Sequence, residues 1–385
     1  MNILMTISLN IIVILLYVAA NFYVAKRVCQ AIQLPLENVN RKLFYGVMFF
    51  LALILVFKFL LMFVSVNSGA KQVVNWIASY WMGLFVYLLL AFVVTDLIAL
   101  VARGVGVLPM TRSIRNHISL FAMLAAVFIC CGGIFNANQL EHVTYTVKTV
   151  NNPIAKEVNM VLISDLHLGA VDSEKRLKKA VQKINGLAPD IVCIAGDIFD
   201  SDYYAIPNPE RASRLLQDIQ SKYGVYACLG NHDAGNSFEE MEAFLERSNV
   251  KCLKDEAVVI DSQFILAGRL DSNPIGKAGD YQRKDISDIL KDVDKSLPVV
   301  VMDHNPANIG EYQKDVDLIL CGHTHHGQIW PGNLITDAIN AVAYGHYQKD
   351  TKSPHVIVTS GAGIWGMPLR LGSFCEVVSV KLESK

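Results

Sequence analysis

Four long apolar stretches in the first part of the chain limit what it can fold into. They run from Ile3 to Ala25, Leu43 to Val66, Val74 to Val101 and Ile118 to Phe135. Each approaches or exceeds the about 18–20 residues that a helix needs to cross the hydrocarbon of a bilayer. Residues 1–3 carry no basic side chain and three further stretches follow, which favours an uncleaved helix over a signal peptide. The sequence therefore predicts a transmembrane region of four helices over residues 1–136.

The basic residues between these stretches predict how the helices are oriented. The first and third loops carry seven of them, namely Lys26, Arg27, Arg41, Lys42, Arg103, Arg112 and Arg115, whereas the second loop offers Lys71. Positively charged loops remain on the cytoplasmic side of a membrane. We therefore expect a multi-pass protein of the cell membrane, whose partner is the lipid bilayer and whose catalytic domain lies outside the cytoplasm.

Two charged residues, Lys58 and Asp96, lie within the apolar stretches. Charges inside a membrane are costly and are usually paired or functional. Asp96 is near the end of its stretch, so we expect its side chain to reach the membrane interface. For Lys58 the sequence favours neither interpretation.

The cysteines and the net charge exclude two classes of protein. None of the eight cysteines forms a CxxC pair, and several stand inside apolar runs, so they indicate small buried side chains and not a disulfide framework. Five of them follow residue 136, which is unusual for a domain in an oxidising exterior. The net charge of −1 gives no reason to expect nucleic acid as a partner.

Beyond a connector over residues 137–152, apolar runs typical of buried strands alternate with amphipathic runs typical of helices. Strands are expected over residues 158–164, 190–196, 224–230, 297–303, 315–322, 355–361 and 375–382. Helices are expected over residues 173–187, 211–220 and 237–248. Ser173 is a plausible N-cap, and Ser237 and Glu240 have the spacing of a capping box. The alternation predicts an α/β domain whose strands are joined by helical crossovers.

Carboxylate, amide and imidazole side chains follow five of these predicted strands. They are Asp165 and His167, then Asp197 and Asp200, then Asn231, His232 and Asp233, then His304, and finally His323 and His325. Ligands collect at the carboxyl ends of strands in such sheets. Oxygen and nitrogen donors without cysteine suit Mn, Fe or Zn. Seven of these side chains are candidate ligands, which is too many for one tetrahedral zinc. Seven ligands fit two divalent ions that share a carboxylate, an arrangement suited to attack on phosphorus.

The five blocks resemble the calcineurin-like metallophosphoesterase family, and they occur in the family's order between Val158 and Phe374. The segment Asp303–Ala307, followed by the segment Gly322–Gln328, further resembles the membrane-associated bacterial branch. That branch includes enzymes that split the pyrophosphate of UDP-diacylglucosamine, and other cell-envelope phosphodiesterases. The resemblance implies that residues 153–385 form an α/β sandwich of two mixed sheets flanked by helices.

The resemblance also implies a role for each matched residue. The metal ligands divide between two ions: Asp165, His167 and His325 for the first, Asn231, His304 and His323 for the second, and Asp197 as the bridge. His232 would donate a proton or hydrogen bond to the leaving oxygen, and Asp233 would orient it. Asp200 would contact the metal ligands without binding a metal itself.

Three further residues have no settled role. His326 stands where the branch commonly has glycine, and nothing in the sequence assigns it a function. Arg269 and Asp271 end an apolar run. They could bind phosphate or a substrate head group, or they could stabilise a turn.

The leading hypothesis is a membrane-anchored, two-metal hydrolase of phosphodiester or pyrophosphate bonds in a phosphorylated, lipid-linked or cell-envelope substrate. One alternative is a sensor or transporter-like membrane protein whose soluble domain only binds a phosphorylated ligand. Another is a phosphatase of soluble nucleotides or phosphoproteins.

Overall fold

The computed structural model describes residues 3–33, 40–61, 64, 69–107, 111–149, 152–277, 279–294, 296–312 and 315–384. The chain divides into two compact units, one of Met1–Leu61 with Val74–Gly133 and one of Met62–Val73 with Ile134–Lys385. The predicted end of the second apolar stretch, at residues 62–63 and 65–66, lies outside the described residues. So do residues 150–151 of the predicted connector.

Four helices follow the four apolar stretches: α1 (Ile3–Ile32), α2 (Arg41–Leu61), α3 (Gly69–Gly104) and α4 (Arg112–Ala137). All four are long and apolar enough to cross a membrane. The helices continue past the apolar stretches into polar residues because none of them contains a proline. Large apolar side chains such as Phe128 are exposed on their outer faces, as expected of surfaces that meet lipid.

The two charged residues within the spans both have partners. Asp96 accepts a hydrogen bond from the Tyr23 hydroxyl at 2.6 Å, and its carboxylate lies 2.8 Å from the Arg27 guanidinium. Asp96 is therefore half of an ion pair between α1 and α3, and its position at the membrane interface stays a prediction. Lys58 donates a hydrogen bond to the Ser79 hydroxyl at 2.9 Å.

The basic residues of the first and third loops lie together at one end of the helical unit. All of them except Lys42 line two adjoining cavities of about 250 and 440 Å³, which share Lys26 and Arg115. The first cavity also contains Arg27 and Arg103, and the second also contains Arg41 and Arg112. The described basic residues of both loops therefore lie at the same end of the helical unit, and the side of a membrane on which that end lies stays a prediction.

Two six-stranded mixed sheets form the second unit. The first sheet has the order β1 (Leu140–Lys148), β12 (Cys375–Glu383), β2 (Val158–Ile163), β3 (Ile191–Ala195), β4 (Val225–Cys228) and β5 (Val250–Cys252). The second has the order β10 (Gly345–Tyr347), β11 (His355–Val358), β9 (Leu318–Cys321), β8 (Val299–Met302), β7 (Phe264–Gly268) and β6 (Glu256–Ile260). The predicted sandwich of two mixed sheets is confirmed.

Five further helices lie between the strands, and the longest of them cover the first sheet. They are α5 (Ser173–Gly186), α6 (Pro209–Gln217), α7 (Phe238–Arg247), α8 (Ile286–Ile289) and α9 (Gly332–Ile339). Leu177 of α5, Leu216 of α6 and Phe244 of α7 are buried against the first sheet. Leu162 of that sheet and Leu320 of the second belong to the apolar layer between the two sheets. The central strands are nearly continuous apolar runs because both of their faces are buried.

The predicted connector contains a strand that the sequence does not reveal. β1 pairs in parallel with β12, with Leu140 opposite Cys375, and it forms the edge of the first sheet. Its alternating polar residues reflect one exposed face, which makes the segment look like a loop. Only Asn138 and Gln139 separate the end of α4 from β1.

Two predicted helix caps are not formed. Asp172, in the left-handed conformation, is the N-cap of α5, and Ser173 instead donates to the carbonyl of Gly169 at 2.6 Å. Ser237 does precede α7, but its hydroxyl accepts the Tyr203 backbone N–H. Glu240 accepts the Tyr204 hydroxyl at 2.6 Å. Both side chains of the predicted capping box thus serve contacts with a neighbouring segment.

Candidate metal centre

The five loops that carry the candidate ligands meet at one edge of the sandwich. β2, β3 and β4 are parallel neighbours, so their carboxyl ends lie side by side and place Asp165, Asp197 and Asn231 together. β8 and β9 are parallel neighbours in the other sheet and lead to His304 and His323. The two sets of loops are joined because His304 donates from Nδ1 to the Ala195 carbonyl, 2.8 Å away.

Asp165, His167 and His325 form a first cluster of buried ligand atoms. Nε2 of His167 lies 3.0 Å from Nε2 of His325, which in turn lies 3.3 Å from Oδ1 of Asp165. Two ring nitrogens and one carboxylate oxygen therefore point at a common centre. A cation placed there would satisfy all three atoms, since neutral imidazole offers a nitrogen lone pair.

Asp197, His304 and His323 form a second cluster. Nε2 of His304 lies 3.1 Å from Oδ2 of Asp197 and 3.2 Å from Nδ1 of His323. Because Nδ1 of His304 faces the Ala195 carbonyl, Nε2 is the nitrogen available to a ligand.

Asp197 lies between the two clusters. Its Oδ2 is 3.1 Å from His304 in the second cluster and 3.8 Å from Nε2 of His167 in the first. Its Oδ1 accepts the backbone N–H of His232 at 2.8 Å, which fixes the orientation of the carboxylate. One oxygen of Asp197 can thus face two cations at once.

Asn231 contributes a further acceptor. Its Oδ1 is buried and has no hydrogen-bond partner within the part of the chain that the structure describes. A buried acceptor without a partner is costly. A cation near the second cluster would supply the missing interaction.

Two glycines allow the loops to approach this closely. A Cβ atom on Gly196 would lie 2.7 Å from Nδ1 of His304, and Gly196 also has a positive φ of 79°. A Cβ atom on Gly230 would lie 2.3 Å from Oδ1 of Asp197. The glycines that precede Asp197 and Asn231 in the sequence are therefore required by the packing of the ligands.

The ligand residues also carry backbone strain. Positive φ angles between 43° and 71° occur at Asp165, His167, Asp197, His323 and His325. Each non-glycine residue in this conformation costs about 1–3 kcal/mol, and such residues cluster at functional sites. The strain aims successive side chains of short turns at the same centre.

Burial sets the protonation of the cluster. It lowers the pKa of His167 and His323 to about 4 and raises the pKa of Asp165 to about 6. Burial alone would raise the pKa of Asp197, but the imidazole of His304 beside it holds that pKa well below its usual range. His167 and His323 are therefore neutral at pH 7, the form in which imidazole binds metals.

The donor set fits two divalent cations. It combines imidazole nitrogens with carboxylate and amide oxygens and includes no thiol, which suits Mn, Fe or Zn. The first cation would be held by Asp165, His167 and His325. The second would be held by the second cluster with Asn231, and Asp197 would contact both.

His232 stands beside the clusters on a partly exposed turn. Its Nδ1 contacts the Ser201 hydroxyl, and its ring centroid lies 5.1 Å from that of His167 and 5.7 Å from that of Trp365. Asp200 lies next to it, with Oδ1 3.7 Å from Nδ1 of His167. At this distance Asp200 does not hydrogen-bond His167, whose Nδ1 has no hydrogen-bond partner among the described residues, so the supporting role of Asp200 stays a prediction.

The contact predicted between Asp233 and His232 is absent from the described hydrogen bonds. Asp233 is fully buried, and its two oxygens accept the backbone N–H groups of Phe199 and Gly230, each at 2.9 Å. Burial raises its pKa to about 7. Asp233 does not contact His232 because its oxygens hold the backbone of the turn that carries His232. The residue that contacts the His232 ring is Ser201.

The structure does not bring Arg269 into the site. Its buried guanidinium donates to Glu311 at 2.7 Å, to the Tyr312 hydroxyl at 3.2 Å and to a backbone carbonyl. Asp271 accepts the backbone and side-chain N–H groups of Asn273. Arg269 fits the interpretation in which it stabilises local structure. Asp271 also has a buried Oδ2 without a hydrogen-bond partner among the described residues, so both interpretations of Asp271 stay open.

His326 also points away from the clusters. Its ring stacks on Tyr344 with centroids 4.7 Å apart, and its Nε2 lies 3.6 Å from Asp337. The backbone at His326 is left-handed, with φ of 47°. This reversal separates its side chain from that of the adjacent ligand His325.

Arg370 is a site residue that the sequence does not reveal. It is fully buried and donates to the carbonyl of His325 at 2.8 Å, and its Nη2 lies 3.1 Å from Nδ1 of the same residue. It also donates to the carbonyls of Ser360 and Gly363. Arg370 is a charged residue in the otherwise apolar segment Gly363–Leu371, and this is the one feature of the sequence that could have drawn attention to it. Its hydrogen-bond partner, His325, is 45 positions away in the sequence.

Comparison with known proteins gives matches to one family. The profile of the calcineurin-like phosphoesterase family matches residues 158–327. An uncharacterized metallophosphoesterase of Campylobacter jejuni is 28% identical over 98% of both chains. An uncharacterized metallophosphoesterase of Aquifex aeolicus is 32% identical, over 63% of this chain and 91% of its own.

One similar protein is named for a substrate. The UDP-2,3-diacylglucosamine pyrophosphatase of Chlamydia trachomatis is 27% identical to the chain. The similarity covers 60% of this chain and 87% of the relative.

Proposed function

The chain belongs to the calcineurin-like phosphoesterase family, and from this premise we propose that it is a membrane-anchored hydrolase of phosphodiester or pyrophosphate bonds that uses two divalent cations. Its substrate is a lipid-linked or cell-envelope phosphoester outside the cytoplasm. Mn, Fe and Zn are the candidate metals.

The position of Asp197 carries this proposal. One carboxylate oxygen faces both ligand clusters, at 3.1 Å from His304 and 3.8 Å from His167. Two cations held on either side of it would lower the pKa of water and neutralise the charge of the phosphoryl oxygens. Seven side chains from five loops, Asp197 included, make up the site, and a site for phosphate binding alone would not need them.

The remaining chemistry belongs to His232. In hydrolysis the water oxygen bonds to phosphorus, the bond from phosphorus to the leaving oxygen breaks, and the leaving oxygen takes up a proton. The Ser201 hydroxyl is in hydrogen-bond contact with Nδ1 of His232, so Nε2 is the ring nitrogen that can donate this proton. The hydrogen bond from the His232 backbone to Asp197 keeps the ring beside the clusters.

Two observations support a substrate in the membrane. The chain has four helices long and apolar enough to cross a bilayer. The pyrophosphatase of Chlamydia trachomatis to which it is similar is named for a diacylated sugar nucleotide. A membrane anchor would hold the enzyme at the surface where a lipid-linked substrate is located. An enzyme acting on soluble nucleotides or phosphoproteins does not require such an anchor.

The proposal is tested with the purified full-length protein in lipid nanodiscs. Its activity is measured on a phosphodiester, a pyrophosphate and a phosphomonoester, each soluble and lipid-linked, with Mn, Fe or Zn added in turn. We expect metal-dependent release of product from the lipid-linked diester or pyrophosphate.

The matched control variants are Asp197→Asn, at the centre of the site, and Asp292→Asn, at an exposed turn. Only the first is expected to lose activity. Binding of the substrates without turnover under any metal would support the sensor hypothesis instead. Turnover restricted to soluble monoesters would contradict the assigned substrate class.

A further inference from the structure

Large apolar side chains are exposed around α9 of the second unit. Trp330, Leu334, Ile335, Ile339 and Trp365 are each between 50% and 74% exposed, and α9 has no buried residue. We call these five residues the apolar rim. Soluble surfaces seldom present so many large apolar groups together unless they bind something.

The apolar rim borders the metal centre. α9 begins five residues after Gly327, the last residue of the turn that starts with the candidate ligand His325. Gln328 accepts the backbone N–H of Trp365 at 2.9 Å and donates to its carbonyl at 2.9 Å. The Trp365 ring lies 5.7 Å from the ring of His232. A ligand on the rim would therefore lie beside the group that faces the substrate.

The end of α4 is fixed to the segment that carries Trp365. Ala137, its last residue, packs with Ile364 and Cys375. Asn136 donates to the carbonyls of Arg370 and Ser373, at 3.0 and 2.9 Å. Because α4 is long and apolar enough to cross a membrane, residues packed on its final turn are held near a bilayer surface.

The chemistry of the rim suits lipid. Residues 327–348 contain Asp337 as their only Asp, Glu, Lys or Arg, so binding there would depend on apolar contact and not on charge. Tryptophan is enriched at the membrane interface, where its ring meets both acyl chains and head groups. Amphipathic helices lie in this interface with their apolar face towards the acyl chains.

We propose that the apolar rim inserts into the interface of the bilayer that anchors the chain, beside the metal centre. The phosphoester of a membrane lipid then reaches the metal centre while its acyl chains stay among neighbouring lipids. The second statement rests on the proposed function, whereas insertion of the rim does not.

Insertion is tested by fluorescence quenching in phosphatidylcholine nanodiscs whose acyl chains are brominated. Wild-type protein is compared with the variant Trp330→Phe/Trp365→Phe, so that the emission difference isolates the rim from Trp76 and Trp81 of α3. We expect this difference emission to be lost in brominated discs and retained in discs without bromine. Zwitterionic lipid should suffice, because the rim carries almost no charge.

The control places tryptophan at Val259, which is also half exposed but lies on β6, at the edge of its sheet opposite β10. Val259→Trp, made in the variant without rim tryptophans, should keep its emission in brominated discs. The proposal would be overturned if bromine quenched the emission of the rim tryptophans no more than it quenched the emission of Val259→Trp.

A second variant, Ile335→Asp/Ile339→Asp, distinguishes a lipid-binding rim from a contact between two copies of the chain. We expect it to lose most turnover of a lipid phosphodiester in vesicles and to keep turnover of soluble bis(4-nitrophenyl) phosphate. If it instead converts a dimer in detergent to a monomer, the rim is a contact between copies and the proposal fails. If wild-type protein hydrolyses neither substrate, the proposed function fails while the quenching result still decides insertion.

Discussion

At the scale of single residues, the site depends on carboxylates and imidazoles held in unfavourable surroundings. Asp165 is fully buried, and its pKa is raised to about 6 for that reason. Arg370, a buried cation, fixes His325 by its carbonyl and lies close to Nδ1. The free-energy cost of burying the ligand side chains is offset when a cation binds, because each ligand atom then gains a partner.

Asp197→Asn is expected to abolish turnover and to reduce the bound metal. The amide keeps the size of the side chain but loses the negative charge that two cations would share. Metal content measured by elemental analysis and turnover of a phosphodiester check this result. Full occupancy with normal activity would show that Asp197 does not bridge.

His232→Ala is expected to lower kcat by about 10²–10⁴-fold, the usual contribution of a proton donor, while metal content stays unchanged. The loss should be smaller for a nitrophenyl ester, whose leaving group needs less protonation. Comparing kcat for good and poor leaving groups checks the role. An equal loss for both would indicate electrostatic support, and loss of metal would indicate that the turn is misassigned.

Metal affinity is expected to fall as the pH drops from 8 to below 6. Asp165, with a pKa of about 6, gains a proton in this range and then binds a cation poorly. His304 opposes binding in the same direction: burial alone would lower its pKa, but Asp197 beside it raises it well above the usual value. Titration calorimetry in two buffers of different ionisation enthalpy should detect released protons. An affinity independent of pH would contradict this protonation scheme.

At the scale of elements, the site is a property of the turns that end parallel strands. The strands align the turns, and glycines at Gly196 and Gly230 let neighbouring turns approach within contact distance. Left-handed residues then reverse the chain so that adjacent side chains diverge, as His325 and His326 do.

Gly230→Ala is expected to weaken metal binding and to destabilise the second unit by about 1–3 kcal/mol, a common cost of overpacking. Its new methyl group would lie 2.3 Å from Oδ1 of Asp197 and displace the carboxylate. The matched control is Gly186→Ala at the end of α5, where nothing lies within 4 Å of the added atom. Thermal unfolding with and without metal compares the two variants, and equal behaviour would contradict the packing argument.

The sequence predicts the fold and the family because both depend on local patterns. Apolar runs mark β2, β3, β4, β8 and β9, and the polar residues after them mark one edge of the sandwich; the fold prediction is confirmed, and the ligand roles stay predictions. The contacts of Ser201 and Arg370 could not be predicted, because they join segments 31 and 45 positions apart. β1 is missed because five of its nine residues are polar or charged and because its partner β12 lies more than 200 positions further along the chain.

At the scale of the whole molecule, the topology remains a prediction with a direct test. Asp292→Cys in the second unit should react with a membrane-impermeant maleimide in intact cells or spheroplasts. Arg103→Cys, at the basic end of the helical unit, should react only after lysis. Labelling of the wild-type protein is the control for its eight native cysteines, which are all free. The reverse pattern would place the second unit in the cytoplasm, where five free cysteines would be ordinary.

The short link between α4 and β1 determines how such an enzyme would meet its substrate. Two residues, Asn138 and Gln139, span at most about 7 Å when fully extended. With α4 across the bilayer, the catalytic unit searches two dimensions, and encounter frequency depends on the mole fraction of substrate among the surrounding lipids. Diluting the substrate with inert lipid should then slow turnover even when the number of substrate molecules per volume of suspension is held constant.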